Sequence, residues 1–259
     1  VFDSGVGGLT VLRALLRLLP GERFIYVGDT ARVPYGTKSP ESVRRFALEI
    51  ADFLRRRRVK LVVVACNTVS AVALPHLRRR LAVPVMGVIE PGARAALAAT
   101  RNGRVGVIGT QATIRSGAYQ DALRRHDRSV KVFSEACPLL VPLVEEGWLE
   151  HAVTRRVARL YLAPLLGKRI DTLVLGCTHY PLIKGTLRRA ARGAELIDSA
   201  DEMAKAVRSR LAQDDLLSHG RRGGAEFFSS DDPAKFARVG RRFLGAACRR
   251  VRRIRFDGV

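Results

Sequence analysis

The chain has 259 residues, 47% hydrophobic and 27% charged, with a formal net charge of +22 at pH 7. That length buries one large core or two moderate ones, and the composition excludes a disordered chain. No apolar run reaches the roughly eighteen residues that a spanning helix needs, so a helical membrane protein is excluded as well.

Short apolar runs alternate with longer amphipathic stretches, which predicts βα units on parallel sheets. The opening Val1-Phe2-Asp3 has neither an initiator Met nor a basic leader, so the expectation is a chain trimmed at its start, without a signal peptide. The glycines of Asp3-Ser4-Gly5-Val6-Gly7-Gly8 match neither phosphate-loop pattern; close backbone approach, with Asp3 and Ser4 exposed to a ligand, is the preferred reading. Strands are predicted over Arg23–Val27, Lys60–Ala65, Val83–Ile89, Arg104–Ile108, Val130–Phe133, Thr172–Leu175 and Glu195–Ile197. Helices open at Ser39-Pro40-Glu41, with Ser as cap and Pro in the first helical position, at Glu90-Pro91 and near Asp232-Pro233. Continuous apolar runs such as Leu61–Ala65 suit strands covered on both faces. The polar, Gly-rich stretch 220–224 carries no evident chemistry.

A repeat is visible. Leu61–Leu77 (LVVVACNTVSAVALPHL) and Leu173–Leu187 (LVLGCTHYPLIKGTL) both run strand, Cys, two polar residues, helix. A weaker echo pairs Val1-Phe2-Asp3-Ser4-Gly5 with Val107-Ile108-Gly109-Thr110. The predicted fold is therefore α/β with two pseudo-symmetric domains, each a mostly parallel sheet flanked by helices, and a site in the cleft between them. The first domain is expected to comprise residues 1–89 plus 199–259, and the second residues 90–198.

Ligands of open α/β sheets bind beyond the carboxyl ends of the strands, where Cys66 and Cys177 are predicted to open helices. A helix start lowers a thiol pKa. Two sulfurs facing one cleft from opposite sides fit inversion of a stereocentre: one thiolate removes a proton while the opposite thiol delivers one. Two buried small hydrophobes are the plain alternative. Asn67, Thr68, Thr178 and His179 could clamp a carboxylate, and His179 is either a proton relay for Cys177 or a capping residue. Asp3 accepts from an ammonium, supports Cys66 or merely caps. Tyr35 and Gly36 lie on a rigid lip, Val33–Gly36, although Tyr35 equally suits packing. Thr110 and Thr113 either bind a carboxylate or cap a helix, and for the isolated Glu145 the solvated face is favoured over the cleft. Cys137 and Cys248 lack the strand–Cys–polar pattern and are read as structural. No metal-ligand cluster and no phosphatase-like Cys–Arg spacing is present.

The four cysteines form no CxxC pair, which favours reduced thiols in a cytoplasmic protein. Of the 46 basic residues only 7 are Lys. Arg runs at 55–58 and 78–80 fall near apparent helix ends, where they complement the helix dipole. Aromatic residues are not interleaved with them as a nucleic-acid stacking surface requires, so a compositional arginine bias is preferred to nucleic acid as the main partner.

The motifs closely resemble those of the glutamate racemases, within the cofactor-independent Asp/Glu racemase family, and they span nearly the whole chain. They are Phe2–Thr10, Val33–Gly36, Ala65–Thr68, Val88–Gly92, Val141–Gly147, Gly176–Pro181 and the closing Phe227–Ser230 with Pro233 and Phe243–Gly245. The resemblance implies catalytic cysteines matching Cys66 and Cys177, and substrate contacts at Asp3, Ser4, Tyr35, Gly36, Asn67, Thr68, Thr178 and His179. It brings Thr110, Thr113 and Glu145 close by. It further implies interconversion of L- and D-glutamate with no pyridoxal phosphate, other cofactor or metal, supplying D-glutamate for bacterial peptidoglycan. A homodimer is the expected assembly. The rivals are an aspartate or related two-cysteine racemase and, more distantly, a basic DNA-associated binding module without catalysis.

Overall fold

The computed structural model describes residues 1–218, 220 and 223–256. Ten strands follow one another as β1 (Phe2–Asp3), β2 (Arg23–Gly28), β3 (Val62–Val64), β4 (Val85–Gly87), β5 (Arg104–Gly109), β6 (Lys131–Ala136), β7 (Thr172–Gly176), β8 (Glu195–Asp198), β9 (Gly224–Ser229) and β10 (Val251–Arg253). They form two sheets, ordered β10-β9-β2-β1-β3-β4 and β6-β5-β7-β8, and every pairing is parallel. The order β2-β1-β3-β4 in the first sheet is repeated as β6-β5-β7-β8 in the second. Both sequence echoes fall on this repeat, β1 matching β5 and β3 matching β7. Strands β9 and β10 extend the first sheet alone.

The α/β architecture with two pseudo-symmetric parallel sheets is as expected, with local differences. The apolar run 83–89 is a strand only over Val85–Gly87. Val88 already has helical angles (φ −73°, ψ −16°), and the next helix runs Ile89–Ala99. A short apolar run does not separate strand from helix by itself, and Pro91 is tolerated in the first turn, where backbone N–H groups have no intrahelical acceptor. Strand β6 runs on past Phe133 because Ser134–Ala136 pair with Val107–Gly109. Within the Gly-rich stretch 220–224, Arg221 and Arg222 lie outside the described residues, while Gly224 opens β9.

The helix Pro40–Arg56 illustrates the local logic. Ser39 Oγ accepts from Ser42 N at 3.2 Å, Pro40 fills the first position, and Arg55 and Arg56 sit in the last turn. Its Val43, Ala47, Ile50 and Leu54, one face at helical spacing, are buried in a cluster with Phe2, Val64 and Phe228. Asp232 likewise caps the helix Pro233–Leu244 by accepting from Ala234 N at 2.8 Å.

The chain leaves the first sheet through Ile89–Ala99 and returns through the helix Ser199–Gln213, and these two helices pack on each other. The helix Leu9–Leu18 packs on the returning one. Its Leu9, Leu12 and Leu15 share one buried cluster with Leu140, Val144, Leu173, Met203 and Val207, so the two sheets hold a core in common. No helix of the described residues is long and apolar enough to cross a membrane. Leu12 is fully buried in that common core. Leu12→Ala should therefore cost about 2–5 kcal/mol of unfolding free energy in urea titrations, as cavity-forming core substitutions do; a loss below about 1 kcal/mol would place the shared core elsewhere.

Candidate active site

The polar residues cluster just beyond the carboxyl ends of the strands. Ser4 follows β1, Cys66 lies two residues past β3, Thr110 follows β5 and Cys177 follows β7. These turns, from both sheets, line one cavity of about 380 Å³, together with Val33–Thr37, Asn67, Thr68, Pro138, Val141, Pro142, Glu145, Thr178 and His179. A larger cavity, about 750 Å³, opens at the opposite strand ends beside Glu22, Arg57 and Lys60. It holds none of the predicted residues, and parallel sheets bind ligands at carboxyl ends.

Glycine at positions 7 and 8 is a packing requirement. A Cβ at Gly7 would collide with Thr178 Oγ1 and stand 2.5 Å from His179 Nδ1; one at Gly8 would stand 2.6 Å from Asp3 Cβ and 2.9 Å from Ala65 Cβ. The Gly-rich turn thus lets backbone approach both cysteine turns, as the absence of a phosphate-loop pattern suggested. Thr10 Oγ1 ties it to the second turn by donating to Thr178 O at 3.1 Å.

Cys66 is buried at the start of the short helix Asn67–Val72, with Sγ 3.6 Å from Ser4 Oγ. The expectation of a lowered pKa at this helix start is not met. Burial, and then the neighbouring Asp3 carboxylate, push the thiol up to about 12 and outweigh the hydrogen bonds from Val69 and Ser4. Asp3 is itself fully buried, with Oδ2 accepting from Gly5 N at 3.0 Å and Oδ1 lacking a hydrogen-bond partner among the described residues. Burial raises its pKa against the opposing pull of the His179 charge. It backs Cys66 without lining the cavity.

Cys177 does not open a helix. It sits at a bend, a turn follows over Thr178 and His179, then a 3₁₀ turn over Tyr180–Ile183, and the α-helix begins only at Lys184. The residues of this turn supply a different partner. Cys177 Sγ is 3.8 Å from His179 Nδ1, and His179 Nε2 is 2.9 Å from Glu145 Oε1. Burial pulls the imidazole pKa down, but the bonds to Cys177 and Glu145 prevail and raise it to about 10. Burial also opposes ionisation of Glu145, yet the His179 bond and charge hold its carboxyl below the usual range. Glu145 lines the cavity at its rim while its side chain stays 41% exposed. The Phe243 and His179 rings pack in a T-shaped arrangement with centroids 5.4 Å apart.

Asn67 is buried at the cavity wall, its Oδ1 accepting from the Tyr119 hydroxyl at 2.7 Å. Thr68, Thr110 and Thr113 share hydroxyl contacts of 2.9, 3.3 and 2.9 Å. Thr110 also caps its helix by accepting from Thr113 N, whereas Thr113 is buried behind the cavity wall. Tyr35 lines the cavity, but its hydroxyl donates to Asp29. Asp29 in turn accepts from Arg32 Nε and Ser230 Oγ, each at 2.7 Å. Gly36 packs so closely on Thr110 that a Cβ would stand 2.8 Å from that side chain. Nothing in the sequence singles out Asp29, Tyr119 or Phe243 as support for the site: Tyr119 and Phe243 lie far in sequence from Asn67 and His179, whereas Asp29 lies six residues before Tyr35. The described residues contain no group of three or more His, Cys, Asp or Glu able to hold a metal.

Two thiols from the ends of separate sheets, one backed by a carboxyl and one by an imidazole, thus face one cavity. The Asp/Glu/Hydantoin racemase family model matches residues 7–207. The chain belongs to that family. It is an isomerase, an amino-acid racemase. Glutamate racemase of Geobacter metallireducens is 56% identical to it over 95% of this chain and 92% of that protein. The crystal structure of a glutamate racemase isoform from Bacillus anthracis superposes with a TM-score of 0.95 at 40% identity, covering 98% of this chain and 95% of that one. Glutamate racemase of Francisella tularensis, solved in complex with D-glutamate, gives a TM-score of 0.93 at 38% identity over 100% and 97% of the two chains.

The His179 shift carries a pH signature in this racemase. The folded state holds the imidazole proton up to about pH 10, while the reference value is 6.5. The stability linked to this proton is therefore fully present below the reference value and is lost as pH rises through about 10. Glu145→Gln removes one source of the shift, so the titration midpoint of the His179 ring, followed by NMR, should fall clearly below that of the unaltered protein. An unchanged midpoint would remove Glu145 as a cause.

Proposed function

We propose that this racemase interconverts L- and D-glutamate by moving the α-proton between Cys66 and Cys177, without pyridoxal phosphate or metal, and that it supplies D-glutamate for peptidoglycan in a bacterial cytoplasm. The observation that carries the reading is the shared cavity: one thiol from each of two matched strand ends lines it. The D-glutamate bound to the similar Francisella tularensis enzyme supports the substrate. Four free, buried thiols suit a reducing compartment. We take residues 1–89 with 199–259 as one domain and 90–198 as the other, the division at which the chain crosses between sheets.

The chemistry follows from the surroundings of each sulfur. In one direction Cys177 is the base: its thiolate form is stabilised by the protonated ring of His179, whose far nitrogen is held by Glu145, and it takes up the α-proton itself. Cys66, kept protonated by burial and by Asp3, is the acid that delivers a proton to the opposite face of the carbon. In the other direction Cys66 begins as the thiolate, with Asp3 and Ser4 as its proton partners. Negative charge developing at the α-carbon spreads onto the adjacent carboxylate. There Asn67, Thr68, Thr178 and Ser4 can offer donors fixed in advance, which is where preorganised dipoles are most effective. Asp3, Tyr35, Gly36, Thr110 and Thr113 complete the arrangement by shaping and supporting that wall.

Racemisation in deuterium oxide tests the two-base step. With L-glutamate and no added cofactor, early D-glutamate should carry deuterium while recovered L-glutamate keeps its proton. Equal labelling of both enantiomers from the start would mean a single exchanging base. Turnover of L-aspartate matching that of L-glutamate would overturn the substrate. Cys66→Ser and Cys177→Ser should each reduce kcat by about 10²- to 10⁴-fold, the usual contribution of a positioned acid or base; either variant turning over at the unaltered rate would dismiss that cysteine.

A further inference from the structure

The donor set of the cavity depends on which way one amide points. Asn67 is 2% exposed, and its Nδ2 has no hydrogen-bond partner among the described residues. Its Oδ1 is held at 2.7 Å by the hydroxyl of Tyr119, a residue 1% exposed on the helix Ala118–His126. This hydrogen bond joins the turn after β3 of the first sheet to a helix beside the second. The tyrosine ring packs against a glycine: a Cβ at Gly176 would stand 3.1 Å from ring Cε2. Burial raises the phenol pKa, so the hydroxyl keeps its proton, and the geometry of this bond directs that proton to Asn67 Oδ1. An amide whose oxygen is occupied must turn its NH₂ group elsewhere.

We infer that Tyr119 is a positioning residue, which fixes the Asn67 amide so that it presents N–H donors and not its carbonyl oxygen to a carboxylate of the substrate. The inference rests on the amino-acid substrate proposed above. The two orientations of an amide are nearly equal in shape, so packing alone cannot choose between them. Without the hydroxyl, the flipped amide would set an oxygen against the carboxylate, and binding would have to include the cost of turning it back. Tyr119 itself need not touch the substrate.

Tyr119→Phe removes one oxygen and keeps the ring in its slot. Its affinity for D-glutamate, measured by isothermal titration calorimetry, should weaken about tenfold, equivalent to ~1.4 kcal/mol. The thermal midpoint should shift by only a few degrees. The same substitution made on an Asn67→Ala background should leave the already weakened affinity unchanged within about twofold, because groups acting through one contact are not additive. Equal weakening on both backgrounds would mean that the tyrosine acts by packing, and undiminished affinity in Tyr119→Phe would overturn the inference outright. Failure of the unaltered protein to bind D-glutamate would instead remove the substrate reading, and this inference with it.

Discussion

The close approach of the Gly7–Thr10 turn to the Thr178–His179 turn is what makes one cavity from two sheets. The contact needs bare backbone at Gly7, and the Thr10 hydroxyl ties the two turns together by reaching Thr178 O. Because Gly8 packs equally closely on Asp3 and Ala65, the same turn also fixes the approach to Cys66. Asp3, Ser4, both thiols and His179 are therefore positioned through one short segment. The electrostatics follow the same geometry: the His179 charge is felt at the buried Asp3 carboxyl, which adds to burial in raising the proton affinity of Cys66.

The backbone is nearly symmetric about this join, and the proton chemistry is not. Two residues beyond Cys66 stands Thr68, whereas two beyond Cys177 stands His179. On the aligned first strands, Asp3 of β1 corresponds to Gly109 of β5, which has no side chain to lend. Each thiol thus has a proton partner that the other lacks, a carboxyl on one side and an imidazole–carboxylate pair on the other. For a reaction whose two directions are mirror images at carbon, the surroundings of the acid and the base still differ.

What was legible in the sequence was whatever lies within a few residues of a strand end. Parallel strands buried on both faces write themselves as apolar runs, and the turn after each run is where Ser4, Cys66, Asn67, Thr110 and Cys177 were found. Contacts between distant segments were not legible. Glu145 reads as a solvated residue until His179 is brought beside it, and nothing near Asn67 announces Tyr119. The proton affinity of Cys66 is not legible for a related reason. A helix start is visible in sequence, but burial and a neighbouring carboxylate are properties of the folded whole, and here they outweigh the helix. Cys177 reads as a helix start in the sequence, but Thr178 and His179 form a turn that leads into a 3₁₀ turn before the helix proper. The three-residue strand β10 has too little apolar length to stand out.

The uneven sheets also bear on how the chain is assembled during synthesis. All four strands of the second sheet come from one continuous stretch, Arg104 to Asp198, so its pairings close over modest loops as soon as that stretch is free. In the first sheet β2 waits for β9, some two hundred residues later, as the bond from Ser230 to Asp29 shows. Closing so long a loop is slow, and it cannot begin until nearly the whole chain has been made. Until then β2 is left with one unpaired edge, and the Asp29 network beneath Tyr35 lacks Ser230. The lip of the cavity is therefore among the last parts to set, and a nascent chain short of its final segment has the second sheet but not a finished site.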